Sequence, residues 1–98
     1  MTEHMESVVG RKYRLRVNVL GNPVGTVGYV FNQYHDFDYP NETGVQIIFP
    51  NGEYDGFSVN EQDNFLEYLG YDLRYVNYQF KNVMQVTRDF RNGYWEWD

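Results

Sequence analysis

The sequence predicts a mostly-β domain with one helix: a small antiparallel barrel, with the helix inserted at about 58–69 and a hairpin at the C-terminal end. Three observations carry this. Short runs rich in Val, Ile, Tyr and Phe alternate apolar and polar residues, which is the period of a half-buried strand. Two Asn–Gly pairs, Asn51–Gly52 and Asn92–Gly93, are preferred centres of tight hairpins. A single serine-x-x-glutamate pattern, Ser58 to Glu61, has the spacing of a helix capping box.

Residues 1–9 read as a flexible leader and 10–98 as one domain, because 98 residues leave no room for a second independent core. From Gly10, Tyr13, Leu15, Val17 and Val19 point one way, and Lys12, Arg14, Arg16 and Asn18 the other. The run is therefore a strand with a basic outer face. "GNP" at 21–23 turns the chain, and "VGTVGYVF" at 24–31 reads as a bent strand. "YHDFDYPNE" at 34–42 is a loop held open by Pro40 and Asn41, and "GVQIIF" at 44–49 is the next strand. The Asn51–Gly52 turn then leads into "EYDGF". In the helix, Val59, Gln62, Phe65, Leu66 and Leu69 share a face, and Gly70 suits the C-terminal cap. "YDLRYVNYQF" and "NVMQVTRDF" read as strands, with the second hairpin at Asn92–Gly93.

The order strand, bent strand, long loop, strand, tight hairpin, strand, helical segment, closing strand resembles small barrels of the Src-homology-3 type. "GVQIIFPNGEYDGF" is similar to the hairpin at the centre of such barrels. The resemblance spans roughly residues 10–80 and lies in architecture, so it implies a fold and not an activity.

The chain has no cysteine, which removes disulfides, thiol catalysis and thiolate-bound zinc. No apolar run approaches the roughly 18 residues of a membrane helix, and "MTEHMESVVG" lacks the apolar block of a secretory signal. A cytoplasmic protein without membrane contact is expected. Net charge is −6, and its distribution is uneven. Between Arg16 and Arg74 there is no Lys or Arg, and nine acids occur: Asp36, Asp38, Glu42, Glu53, Asp55, Glu61, Asp63, Glu67 and Asp72. The remainder carries eight cations and five acids, a balance of +3. Such a middle, gathered on one surface, attracts basic partners and opposes nucleic acid.

Each chemical reading has a plainer rival. Asp36, Asp38 and Glu42 offer oxygen ligands, but the segment lacks the glycine and twelfth-position glutamate of the helix–loop–helix calcium motif. His35 beside Asp36 favours its protonated form. Ser58 is explained by the cap, and Glu53 with Asp55 lacks an enclosing pocket in so small a barrel. No catalytic residue, metal or cofactor is therefore assigned, and the chain is read as no enzyme. Arg11, Lys12, Arg14 and Arg16 with Tyr13 offer a phosphate-binding strand; a strand's solvated outer face is the favoured account of them, because the field of the acidic remainder opposes nucleic acid. A small metal-dependent enzyme is the other rival.

Ten Tyr, seven Phe and two Trp exceed what one small core hides. Rings beside carboxylates suit an Arg/Lys-rich partner, through ion pairs and cation–π contact. The expected site comprises Tyr34, Asp36, Phe37, Asp38, Tyr39, Glu42, Glu53, Tyr54 and Asp55. The expected function is protein binding through this acidic, tyrosine-rich surface. The partner is a protein with a basic surface, such as a nucleic-acid-binding protein that a phage-type mimic would inhibit.

Overall fold

The computed structural model describes residues 8–35 and 43–97. Five strands form one antiparallel sheet: β1 (Arg11–Leu15), β2 (Val27–His35), β3 (Thr43–Ile48), β4 (Tyr54–Phe57) and β5 (Leu66–Tyr71). Their order is β4-β3-β2-β1-β5. Helix α1 (Val59–Phe65) links β4 to β5, and α2 (Val83–Arg91) follows the last strand. The mostly-β expectation holds. The sheet stays open, since among the described residues no ladder joins β4 to β5.

Alternation works as the sequence implies in β1, where Tyr13 and Leu15 are buried and Arg14 is exposed. The strand stops at Leu15, short of Val19, because Val19 and Asn22 bridge each other and reverse the chain. Asn22 is buried, and its Nδ2 donates to Val19 O and to Asn51 Oδ1. Asn51 Nδ2 in turn donates to Leu20 O, so this reversal is tied to the β3–β4 hairpin. The hairpin itself turns at Asn51–Gly52, with Gly52 N–H donating to Phe49 O.

The register of β2 against β3 shifts between Val30 and Asn32. Phe31 is the extra residue of this bulge; Val30 and Phe31 point to opposite faces, as successive strand residues do, and both are fully buried because each face carries its own core. One face joins Tyr13, Leu15, Val30, Val45, Ile47, Phe49, Phe57 and Leu66 to Val8. The other joins Tyr29, Phe31 and Ile48 to Val9 and to Tyr75, Tyr78, Val86 and Trp95 from the C-terminal segment. The sheet thus separates two cores, and both must form for its apolar residues to leave water.

Three expectations are corrected here. The helix ends at Phe65, not near 69: Leu66 adopts φ −127 and ψ 147, and 66–71 become β5. Pairing with β1, Tyr13 opposite Tyr68 and Leu15 opposite Leu66, outweighs one further helical turn. The C-terminal hairpin is absent, and "NVMQVTRDF" is helical. Asn82 caps α2 by accepting from Gln85 N–H, and Gly93 at φ +79 follows the C-cap Asn92. This is the glycine-after-helix arrangement that positive φ favours. Tyr75 and Tyr78 belong to turns, not to a strand, with Tyr78 N–H donating to Tyr75 O.

Candidate partner-binding surface

The surface is built from the edge strand β4 and the helix that follows it. Ser58 Oγ accepts from Glu61 N–H at 3.2 Å, and Glu61 Oε1 accepts from Ser58 N–H at 2.8 Å. This reciprocal cap fixes where α1 begins and holds the Glu61 carboxylate at its first turn. Gln62 points the other way. Its Nε2 donates to Thr43 O and Phe57 O, so α1 is fastened to the ends of β3 and β4. Asp63 is then left exposed beside Glu61.

Of the expected site, Asp36, Phe37, Asp38, Tyr39 and Glu42 lie outside the described residues. Their segment leaves β2 at His35 and re-enters β3 at Thr43, which pair with each other. Thr43 is the residue whose carbonyl Gln62 holds, so both described ends adjoin α1. Tyr34 stands opposite Gly44, and its ring lies so close over β3 that a Cβ at Gly44 would collide with it. The hydroxyl end reaches Gly56 of β4. The Tyr34 ring therefore crosses β3 from the inner strand β2 toward the edge strand β4 on the Gly56 side of the sheet, while the neighbouring Asp55, opposite Ile47, projects from the other side. Asp55 Oδ1 accepts from Gly56 N–H at 2.8 Å, so an edge amide is occupied by a side chain and withheld from a further strand. Glu53 is exposed beside the hairpin. Tyr54 is half-buried, its ring edge-on to Phe31 at 5.9 Å, and belongs largely to the second core.

Charge pairing separates this edge from the rest. Arg14 pairs with Glu67 at 2.9 Å, and Arg74 reaches Asp72 at 2.6 Å and Glu96 at 3.0 Å. Glu53, Asp55, Glu61 and Asp63 make no ion pair among the described residues. The hydrogen bond from Arg74, opposed by partial burial, holds the Asp72 carboxyl below its ordinary range. In the second core, burial first and then a 2.7 Å bond to Asp89 Oδ2 push the Tyr78 hydroxyl well above its ordinary value. No cluster of three or more metal-ligating side chains occurs among the described residues.

The other side of α1 carries a feature that the sequence reading missed. Arg11, Tyr13, Arg16, Gln62, Asp63 and Tyr68 line a groove of about 410 Å³. Arg11 lies over the rings of Tyr68 at 5.3 Å and Tyr71 at 5.7 Å. It donates through Nε to Tyr71 Oη and through Nη1 to Tyr13 Oη. Partial burial works against its charge, but these phenolic bonds raise its pKa in net. Arg16 Nε donates to Leu66 O. The four basic residues of the first strand therefore do not act together: Arg14 is paired, Lys12 lines a separate cleft with Trp97, and only Arg11 and Arg16 share the groove. The sequence signal was Tyr13 between Arg11 and Arg16; Tyr68 could be added only once β5 replaced the end of the helix.

No protein-family model matches the chain, and no curated protein or solved structure matches it. Among the described residues, no helix is long and apolar enough to cross a membrane.

Proposed function

We propose that this chain is a non-enzymatic protein-binding module, whose acidic, tyrosine-bearing β4–α1 edge engages a basic surface of a partner protein. The supporting observation is the uncompensated charge of one continuous stretch: Glu53, Asp55, Glu61 and Asp63 lack cationic partners among the described residues, while Arg14 and Arg74 pair with acids elsewhere. Tyr34 supplies a half-exposed ring beside it. Asp36, Phe37, Asp38, Tyr39 and Glu42 extend the same surface in this reading. The scaffold reads as an open form of the small Src-homology-3-type barrel, a reading supported by β1 lying between β2 and β5 and by the helix between β4 and β5, with the sheet left unclosed. One form of the function is nucleic-acid mimicry: the edge occupies the cationic groove of a nucleic-acid-binding protein in the cytoplasm, as a phage-type inhibitor does. Association through such a surface is fast and salt-sensitive.

The test is capture of partners from lysate at low and high salt, comparing the native chain with the triple variant Glu53→Gln, Asp55→Asn, Asp63→Asn. Exposed pairs contribute about 0.2–1 kcal/mol each, so three together amount to about 2 kcal/mol, or roughly thirtyfold in affinity. The variant should keep the native unfolding midpoint and lose the salt-sensitive partners. Undiminished capture by a folded variant rejects the proposal.

A further inference from the structure

We propose that the groove between β1, β5 and α1 binds single-stranded nucleic acid, with one base stacked on Tyr68 and two neighbouring phosphates held, one by Arg11 and one by Arg16. This goes beyond the acidic-edge reading and does not depend on it.

The two arginines are presented differently but to one place. Arg11 is fixed by two phenolic hydroxyls and two rings, and it has no carboxylate partner among the described residues. A guanidinium already held in position loses little freedom when it takes a phosphate oxygen. Arg16 spends Nε on the Leu66 carbonyl, and its two Nη groups make no bond among the described residues, leaving a fork suited to phosphate. Tyr68 is 51% exposed, with Tyr13 tilted against it at 5.6 Å and Arg11 over the ring at 5.3 Å, so it is a held ring whose remaining surface is open to a base. Any base offers a π-face to such a ring, and only an unpaired strand can deliver it. Gln62 and Asp63 complete the wall, and the Asp63 carboxylate can accept from the exocyclic amine of a base such as cytosine. The groove volume of about 410 Å³ lies within the range of small-ligand sites.

The chain's net charge of −6 opposes a polyanion. Screening limits that opposition, because charges further apart than about 8 Å are largely screened at physiological ionic strength. The two guanidiniums and Asp63 act within the groove itself. Affinity is therefore modest, and its salt dependence small: two phosphates on a single strand give a slope of log K against log salt of about −1.4.

The experiment is fluorescence anisotropy of a labelled short oligodeoxycytidylate at several salt concentrations, with the same-length duplex and inorganic phosphate as competitors. The native chain should bind saturably at low salt and prefer the single strand. Arg16→Gln should lower affinity several-fold and reduce the slope by about 0.7. Tyr68→Ser should weaken binding roughly tenfold, and Tyr68→Trp should restore it, as expected for stacking. The tryptophan variant and a thermal unfolding curve for each protein separate lost stacking from lost fold. Absence of binding at low salt, equal competition by duplex or inorganic phosphate, or unchanged affinity in folded Arg16→Gln and Tyr68→Ser overturns the proposal. Neutralising Glu53 and Asp55 should leave oligonucleotide binding intact or tighten it, so this site and the acidic edge fail independently.

Discussion

At Tyr34, a ring crosses two strands because the residue opposite it has no side chain. Gly44 lies beneath the ring and Gly56 beneath its hydroxyl end. Gly44→Ala should force Tyr34 off the sheet and cost about 1–3 kcal/mol, the range for overpacking a filled site. A urea titration reads the cost, and an unchanged midpoint refutes the close packing. Asp55 illustrates what pattern alone leaves hidden. The sequence offers it as one more carboxylate, yet its position beside Gly56 on an unpaired edge gives it a second task, occupying an amide that would otherwise invite another strand. Tyr54 shows the converse: its ring lies against Phe31 and is half withdrawn from any partner. Nothing local distinguishes Tyr34 from Tyr54 before the strand faces are known.

Among elements, those set by near neighbours were the legible ones. The Ser58–Glu61 box, the turn at Asn51–Gly52, and the alternation of β1 each follow from patterns a few residues long. Ser58→Ala should therefore cost about 1 kcal/mol through the lost cap, measured by thermal or urea unfolding; no change would mean that the cap adds nothing. Elements decided by distant partners were misread. "LEYLGY" fits helical and extended periods alike, and only pairing with β1 selects β5. In "VMQVTRDFR", β-branched residues suggest a strand, whereas Val83, Val86 and Phe90 fall three and four apart, on the face that α2 turns inward or along its flank. Asn92–Gly93 is chemically ambiguous, serving hairpins and helix ends through the same positive φ. The packing of α2 also makes a pH prediction. Tyr78 is held protonated by burial and by its bond to Asp89, so its folded pKa is raised above its unfolded one. The stability it contributes is complete below about pH 10 and declines as pH rises through the folded value. Near-UV circular dichroism should show the aromatic signal of this layer lost in that alkaline window, and Tyr78→Phe should remove most of the dependence. A transition unchanged in Tyr78→Phe counts against the assignment.

Over the whole molecule, charge is sorted as well as spread. The acids of β4 and α1 lack ionic partners among the described residues, while Asp72 and Glu96 share Arg74 at the junction with the C-terminal segment. Asp72 has a lowered pKa, so the stability from its pair is present above the ordinary carboxylate range and lost as pH falls through the lowered value. Asp72→Asn should thus be less stable than the native chain at neutral pH, and the gap should close as pH falls below the ordinary carboxylate range and through the lowered value. Urea midpoints against pH provide the comparison, and a pH-independent gap excludes the mechanism.

All five strands are complete by Tyr71, whereas the residues that cover Tyr29, Phe31 and Ile48 come mainly from 75–95. During translation from the N-terminus, all five strands therefore emerge from the ribosome before the material that shields the sheet's outer side. A nascent product halted there would display a greasy plane of Tyr29, Phe31 and Ile48, the kind of exposure that recruits chaperones or clumps.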